Sequence, residues 1–121
     1  MKYLGPVEPS QVLGTMRKYD ALLIPTHCKT EGYPGVILEA YCAGIPVIAT
    51  DWNAIGEIVE NEESGLLVKP RCHNSLAEAM HRISQDTKLW SRLRAGAIRK
   101  RSEFSNAHWY QELMNHCDIE R

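Results

Sequence analysis

Two glutamates, Glu31 and Glu39, bracket the turn Gly32-Tyr33-Pro34-Gly35 and the apolar run Val36-Ile37-Leu38 that follows it. Gly32 and Gly35 let a backbone come close to a ligand, because no Cβ intervenes. Pro34 has no N–H, but Gly35 and Val36 present theirs at a helix start. Those donors and the positive end of the helix suit a diphosphate. Glu39 falls on the next turn, among Val36, Ile37, Leu38, Ala40 and Tyr41. A carboxylate there is costly to bury unless it is partnered, and the two hydroxyls of a ribose would serve both of its oxygens. Glu31, in the loop ahead, stands nearer the phosphates or an attached sugar. Together these residues describe a site for a nucleotide-sugar. Each part also has a plainer account. The glycines could simply solve a steric problem at a strand-to-helix turn, and Glu39 could face solvent or pair with a basic side chain such as Lys18.

The elements that must hold this turn are short apolar strands alternating with helices. Lys2–Gly5 reads as a first strand, and Pro9–Tyr19 as a helix with Val12, Leu13, Met16 and Tyr19 at helical spacing. Ala21–Pro25 is a continuous apolar strand, the pattern of a strand covered on both faces. Pro34–Ala43 reads as a helix, with Pro34 in its first turn and Gly44 at its end. Pro46–Thr50 is a second buried strand, Asn53–Glu60 a short helix and Gly65–Lys69 a strand after a Glu-Glu-Ser-Gly turn. Asn74 is a candidate cap for a helix carrying Leu76, Ala77, Met80 and Ile83 on one face. Thr87 is a candidate cap for the next, with Leu89, Trp90, Leu93 and Ile98. Ser105 is one for a last helix, with Trp109, Leu113 and Met114. This alternation predicts an α/β fold: a three-layer parallel sheet of Rossmann-like topology with a helical C-terminal segment. Ligands of such sheets bind beyond the carboxyl ends of the strands, where Glu31, the turn, Thr50, Asp51 and Trp52 all fall.

At 121 residues and 44% hydrophobic, the sequence fits a single domain with a real core. Fourteen basic residues against 15 acidic give a net charge of −1, so no broad field draws nucleic acid or an anionic membrane. No apolar run approaches the roughly 18–20 residues of a membrane span, and the first residues lack the core of a signal peptide. Cys28, Cys42, Cys72 and Cys117 form no C-x-x-C pair, which favours reduced thiols and a cytoplasmic setting.

The stretch from Tyr19 to Pro70 resembles the C-terminal, donor-binding domain of GT-B glycosyltransferases, in the retaining group called glycosyltransferase family 4 or glycosyl transferases group 1. Glu31 and Glu39 match its E-x7-E pattern, and Gly44-Ile45-Pro46-Val47-Ile48-Ala49-Thr50 its G-x-P-V-I-A-T strand. Gly56-Glu57-Ile58-Val59 and Gly65-Leu66-Leu67-Val68 match the next two landmarks, and Phe104-Ser105 resembles its last helix entry. The resemblance implies a nucleotide-diphosphate sugar as donor, such as a UDP- or GDP-linked sugar. It implies that Glu39 holds the ribose and that Glu31 acts at the donor sugar or the reacting centre. The amides of Gly35 and Val36 would face the diphosphate. It also implies transfer to a glycan or lipid acceptor with retention, no cofactor and no essential metal. The absence of a D-x-D triplet agrees.

Two family features do not appear: an acceptor-binding domain and a basic pair that neutralises the leaving diphosphate. Lys2 is the only basic residue before Arg17. Stabilising that leaving charge is a large catalytic effect, so the expectation is little transfer by this chain alone. It then needs an N-terminal domain or a partner chain. The alternative is a non-catalytic remnant, or a partner-dependent subunit, that binds nucleotide weakly or not at all. An unpaired strand edge near Lys2–Gly5 would favour a homodimer.

Lesser signals remain. Lys29 and Thr30 lie close enough to touch a phosphate. Trp52 could stack on a base or be a partly buried aromatic, and Glu57 is explained equally by a helix start. His27-Cys28 lacks metal-ligand spacing. The run Arg92, Arg94, Arg99, Lys100, Arg101 reads as a solvated helix face, or as a patch against anionic lipid at the inner membrane surface.

Overall fold

The computed structural model describes residues 8–25, 35–52 and 55–104. A 3-10 turn, Pro9–Gln11, leads into α1 (Val12–Met16). Then follow β1 (Leu22–Ile24), α2 (Gly35–Ala43), β2 (Val47–Thr50), α3 (Ile55–Ile58), β3 (Gly65–Val68), α4 (His73–Gln85) and α5 (Thr87–Phe104). The three strands form one parallel sheet in the order β1-β2-β3. Leu22 pairs with Val47, and Val47 with Gly65, with the register continuing in step along each pair. Fold class and helical C-terminal segment are those expected from the sequence.

Alternation along the strands builds a core on each face of the sheet. Val47 and Ala49 point into one cluster, with Leu13, Ile37, Tyr41, Ile55, Val59 and Ala97. Ile48, Leu66 and Val68 point into the other, with Ala79, Leu89 and Leu93. β2 is buried on both sides, which is why Pro46–Thr50 reads as unbroken apolar sequence. β1 is less covered than the sequence suggests. Leu23 lies opposite Ile48, yet it is 37% exposed, because α4 packs on β3 and β2. α5 gives Leu89 and Leu93 to one cluster and Ala97 to the other, so this long helix closes both layers.

Two glycines are required by the backbone. Gly44 ends α2 with φ +80°, a conformation that disfavours side chains. A Cβ on Gly65 would overlap the Val47 carbonyl oxygen across the sheet.

Several local expectations need correction. The first helix is broken into a 3-10 turn and five α residues, and Tyr19 lies beyond it, half exposed. Asn74 does not cap α4; Cys72 holds the cap position and Asn74 is inside the first turn. Asp86, not Thr87, caps α5, its Oδ1 accepting the Leu89 N–H at 3.0 Å. The buried stripe of α4 is Leu76, Ala79 and Ile83; Ala77 and Met80 are exposed. Lys2–Gly5 and the helix expected from Ser105 lie outside the described residues.

Candidate functional site

Parallel pairing of β1 and β2 forces α2 to run back along the sheet, so its first residue, Gly35, sits at the carboxyl edge of the strands. Gly35 is exposed, and a Cβ built on it would meet nothing within 4 Å among the described residues. None of the described residues therefore blocks approach to the backbone at this helix start. Val36 is half-buried beside it. Glu39 follows one turn later, also half-buried, between the buried side chains of Leu38 and Ala40. Of the expected site residues, the structure thus brings Gly35, Val36 and Glu39 onto one helix at the expected rim. Glu31, Gly32, Tyr33, Pro34, Lys29 and Thr30 lie outside the described residues, as do His27 and Cys28.

Thr50 and Asp51 are at the same edge, with different environments. Thr50 ends β2 and is only 2% exposed. Asp51 is exposed, and its backbone N–H donates to the Val68 carbonyl at 2.9 Å. Its Oδ1 lies over Gly56, where a Cβ would come within 3.1 Å of it. The small residue at 56 therefore leaves room for the Asp51 carboxylate beside α3. Trp52 packs against the main core cluster, which bears out the partly buried aromatic. Glu57 is exposed in the first turn of α3, where a negative charge complements the helix dipole.

A cavity of about 320 Å³ opens at the carboxyl ends of all three strands. Pro25, Thr50 and Val68 form its floor, and Lys69, Arg71 and His73 bring basic groups to it. Arg71 holds a left-handed backbone, φ 57°, as the chain turns from β3 into α4. Lys69, Arg71 and His73 were not among the site residues expected from the sequence, which ended just after β2. The available signal was the basic stretch Lys69-Pro70-Arg71-Cys72-His73 directly after an apolar strand, at the edge where parallel sheets bind ligands.

No cluster of three or more His, Cys, Asp or Glu capable of holding a metal occurs among the described residues. Cys42 is a buried thiol and Cys72 a half-buried one, and neither is in a disulfide. No helix among the described residues is long and apolar enough to cross a membrane.

Comparison with known proteins gives this geometry a context. Residues 1–86 match the family model described as glycosyl transferases group 1. The chain is 34% identical over 86 residues to probable sucrose-phosphate synthase 2 of Oryza sativa subsp. japonica, covering 71% of this chain and 9% of the rice protein. Among solved structures, the sucrose-phosphate synthase of Thermosynechococcus elongatus superposes with TM-score 0.70 at 28% identity, over 84% of this chain and 25% of that one. Anabaena Alr3699/HepE, solved in complex with UDP and glucose, superposes with TM-score 0.71 at 24% identity, over 94% of this chain and 30% of that one. The chain therefore spans a third or less of the length of each of these proteins.

Proposed function

The chain belongs to the group 1 glycosyl transferases, and on that premise we propose that the rim at the start of α2 binds the nucleotide-diphosphate sugar donor of a sugar transfer. One observation carries the reading: Gly35, uncrowded by any described residue, stands at a helix start, with half-buried Glu39 one turn below it. The helix-start amides suit the diphosphate, and the carboxylate suits the ribose diol. Glu31 is assigned to the donor sugar or the reacting centre, and Thr50 and Asp51 to the border of the site. Transfer is assigned the retaining course, to a glycan or lipid acceptor, with no metal. The acceptor site is assigned to a further domain or partner chain.

The test is a titration of isotope-labelled protein with UDP-glucose, GDP-mannose and the free nucleotides, followed by amide shifts. UDP-glucose comes first, because the structurally similar Anabaena protein was solved with UDP and glucose. Expected are shifts centred on residues 31–39 that vanish in Glu39→Gln while the rest of its spectrum is preserved. Silence with every nucleotide, or shifts unchanged in the variant, would overturn the assignment of this rim. Silence would favour the non-catalytic, partner-dependent alternative.

A further inference from the structure

α2 carries the donor rim, yet it is only nine residues long. Isolated helices shorter than about 12–15 residues are marginal in water, so the order of α2 depends on what holds it. The last four carbonyls of any helix lack partners within the helix. In α2 three of them, those of Ala40, Tyr41 and Cys42, are taken up from beyond it. Gly44 N–H donates to the Tyr41 carbonyl and Ile45 N–H to the Ala40 carbonyl, each at 3.0 Å. The Arg101 guanidinium, 59 residues further on, donates to the Cys42 carbonyl at 3.0 Å. Cys42 is only 1% exposed, so water is a poor substitute for that donor. A cation at this end also complements the negative pole of the helix.

Arg101 comes from α5, which begins at Thr87, just past the 1–86 match to the family model. α5 is a firm support. Leu89 and Leu93 are buried in one core cluster and Ala97 in the other, where it joins Ile37 and Tyr41 of α2. Ile98 lies against Gly44, where a Cβ would stand 3.7 Å from its Cγ1. Arg92 pairs with Glu62 at 3.3 Å, and Arg99 with Glu60 and Glu63 at 3.4 and 3.5 Å. Lys100 lies 3.4 Å from Glu103 and 3.6 Å from Glu60. Those three cations tie α5 mainly to the turn before β3. Ala97, Ile98 and Arg101 present the other side of α5 to the end of α2.

We propose, on the reading of the rim as the donor site, that Arg101 is a positioning residue for it. By closing the end of α2, its guanidinium holds the start of the same helix, with Gly35, Val36 and Glu39, in the geometry that receives the donor. Cys42 is seven residues from Gly35, about 10 Å along the helix. Arg101 is thus too far from the rim to hydrogen-bond a diphosphate there, and it acts through α2.

The test compares the parent chain with Arg101→Gln, Arg101→Lys and Arg99→Gln, each isotope-labelled. UDP-glucose is titrated into each while the amides of residues 35–39 are followed, and hydrogen exchange of the α2 amides and urea unfolding are measured on the same samples. Arg101→Gln should speed exchange in α2 and weaken UDP-glucose binding roughly two- to fivefold. Arg101→Lys keeps the cation and a donor and should restore most of the affinity. Arg99→Gln removes a charge from the same helix and should leave affinity and α2 exchange as in the parent. Should Arg101→Gln unfold, Arg101→Met, which keeps more of the apolar stem, repeats the comparison. A lower urea midpoint with parental affinity would reduce Arg101 to a structural residue and overturn the proposal, leaving the donor rim intact. A parent chain silent to UDP-glucose would overturn the rim and the positioning role together.

Discussion

The hydroxyl oxygens of Tyr41 and Ser64 lie 2.9 Å apart inside the protein, 23 residues apart in sequence. Tyr41 also donates to the Ile58 carbonyl at 3.2 Å, and Ser64 Oγ accepts the Glu60 N–H at 3.0 Å. With the phenol proton on Ile58, Ser64 must be the donor to Tyr41. This relay ties α2, the helix that bears Glu39, to the end of α3 and the turn before β3. Removing the phenol oxygen leaves two buried polar groups short of a partner. Tyr41→Phe should therefore destabilise the fold by about 1–3 kcal/mol, measured by urea unfolding. A loss below about 0.3 kcal/mol would show that the relay contributes little.

The same tyrosine sets an alkaline limit. Burial pushes its pKa up from 10.0 to about 12, with the Ser64 hydrogen bond acting in the opposite sense. The folded state then holds the proton more tightly than the unfolded chain. The stability this provides is complete below pH 10 and is lost as the pH rises from there through about 12. Unfolding followed from pH 8 to 12 should show this decline in the parent protein and a flatter one in Tyr41→Phe. Parallel curves would refute the assignment.

Gly96 lies in the middle of α5, where alanine would ordinarily be the better helix former by roughly 0.5–1 kcal/mol. A Cβ there would overlap the Glu63 carbonyl oxygen. Packing wins over propensity, because backbone cannot move aside as a flexible side chain can. Gly96→Ala should destabilise by about 1–3 kcal/mol. A raised melting temperature would mean that α5 can slide off the turn before β3.

Gly35 is the opposite case. A Cβ there meets nothing among the described residues, so Gly35→Ala should leave the melting temperature unchanged or slightly raised. If a diphosphate approaches this backbone, the same methyl stands in its way and the donor-induced shifts should weaken. Unchanged donor affinity would show that no ligand comes close at position 35.

Glu62 holds a left-handed backbone, φ 70°, and takes both guanidinium nitrogens of Arg82, at 2.6 and 2.9 Å. That hydrogen bond holds its carboxyl below the ordinary value of 4.5. The resulting stabilisation is present above pH 4.5 and disappears as the pH falls through the lowered folded value. Both side chains are over two-fifths exposed, so the pair contributes no more than about 1 kcal/mol. Glu62→Gln should soften the acid limb of a stability–pH curve and leave its height at pH 7 nearly intact. A loss of several kcal/mol at neutral pH would contradict a screened surface pair.

The sequence by itself determined the order and type of the main elements. Apolar runs such as Pro46–Thr50, Pro34 before α2 and Gly44 after it act within a few residues, through steric and hydrogen-bonding rules that need no distant partner. It also determined which helix start meets the carboxyl edge, since parallel strands leave α2 one direction to run. What it could not determine depended on contacts across the chain. Helix starts went to Cys72 and Asp86, not Asn74 and Thr87, because capping is decided by where the preceding element, β3 for α4 and α4 for α5, delivers the backbone. Thr50 was placed in the interior, and Trp52 on the core, by packing with neighbours remote in sequence. Only the tertiary structure set Arg92, Arg99 and Lys100 of α5 against Glu60, Glu62, Glu63 and Glu103. Charge is a property of composition, but its neutralisation depends on distance, and distance is fixed only when the layers pack.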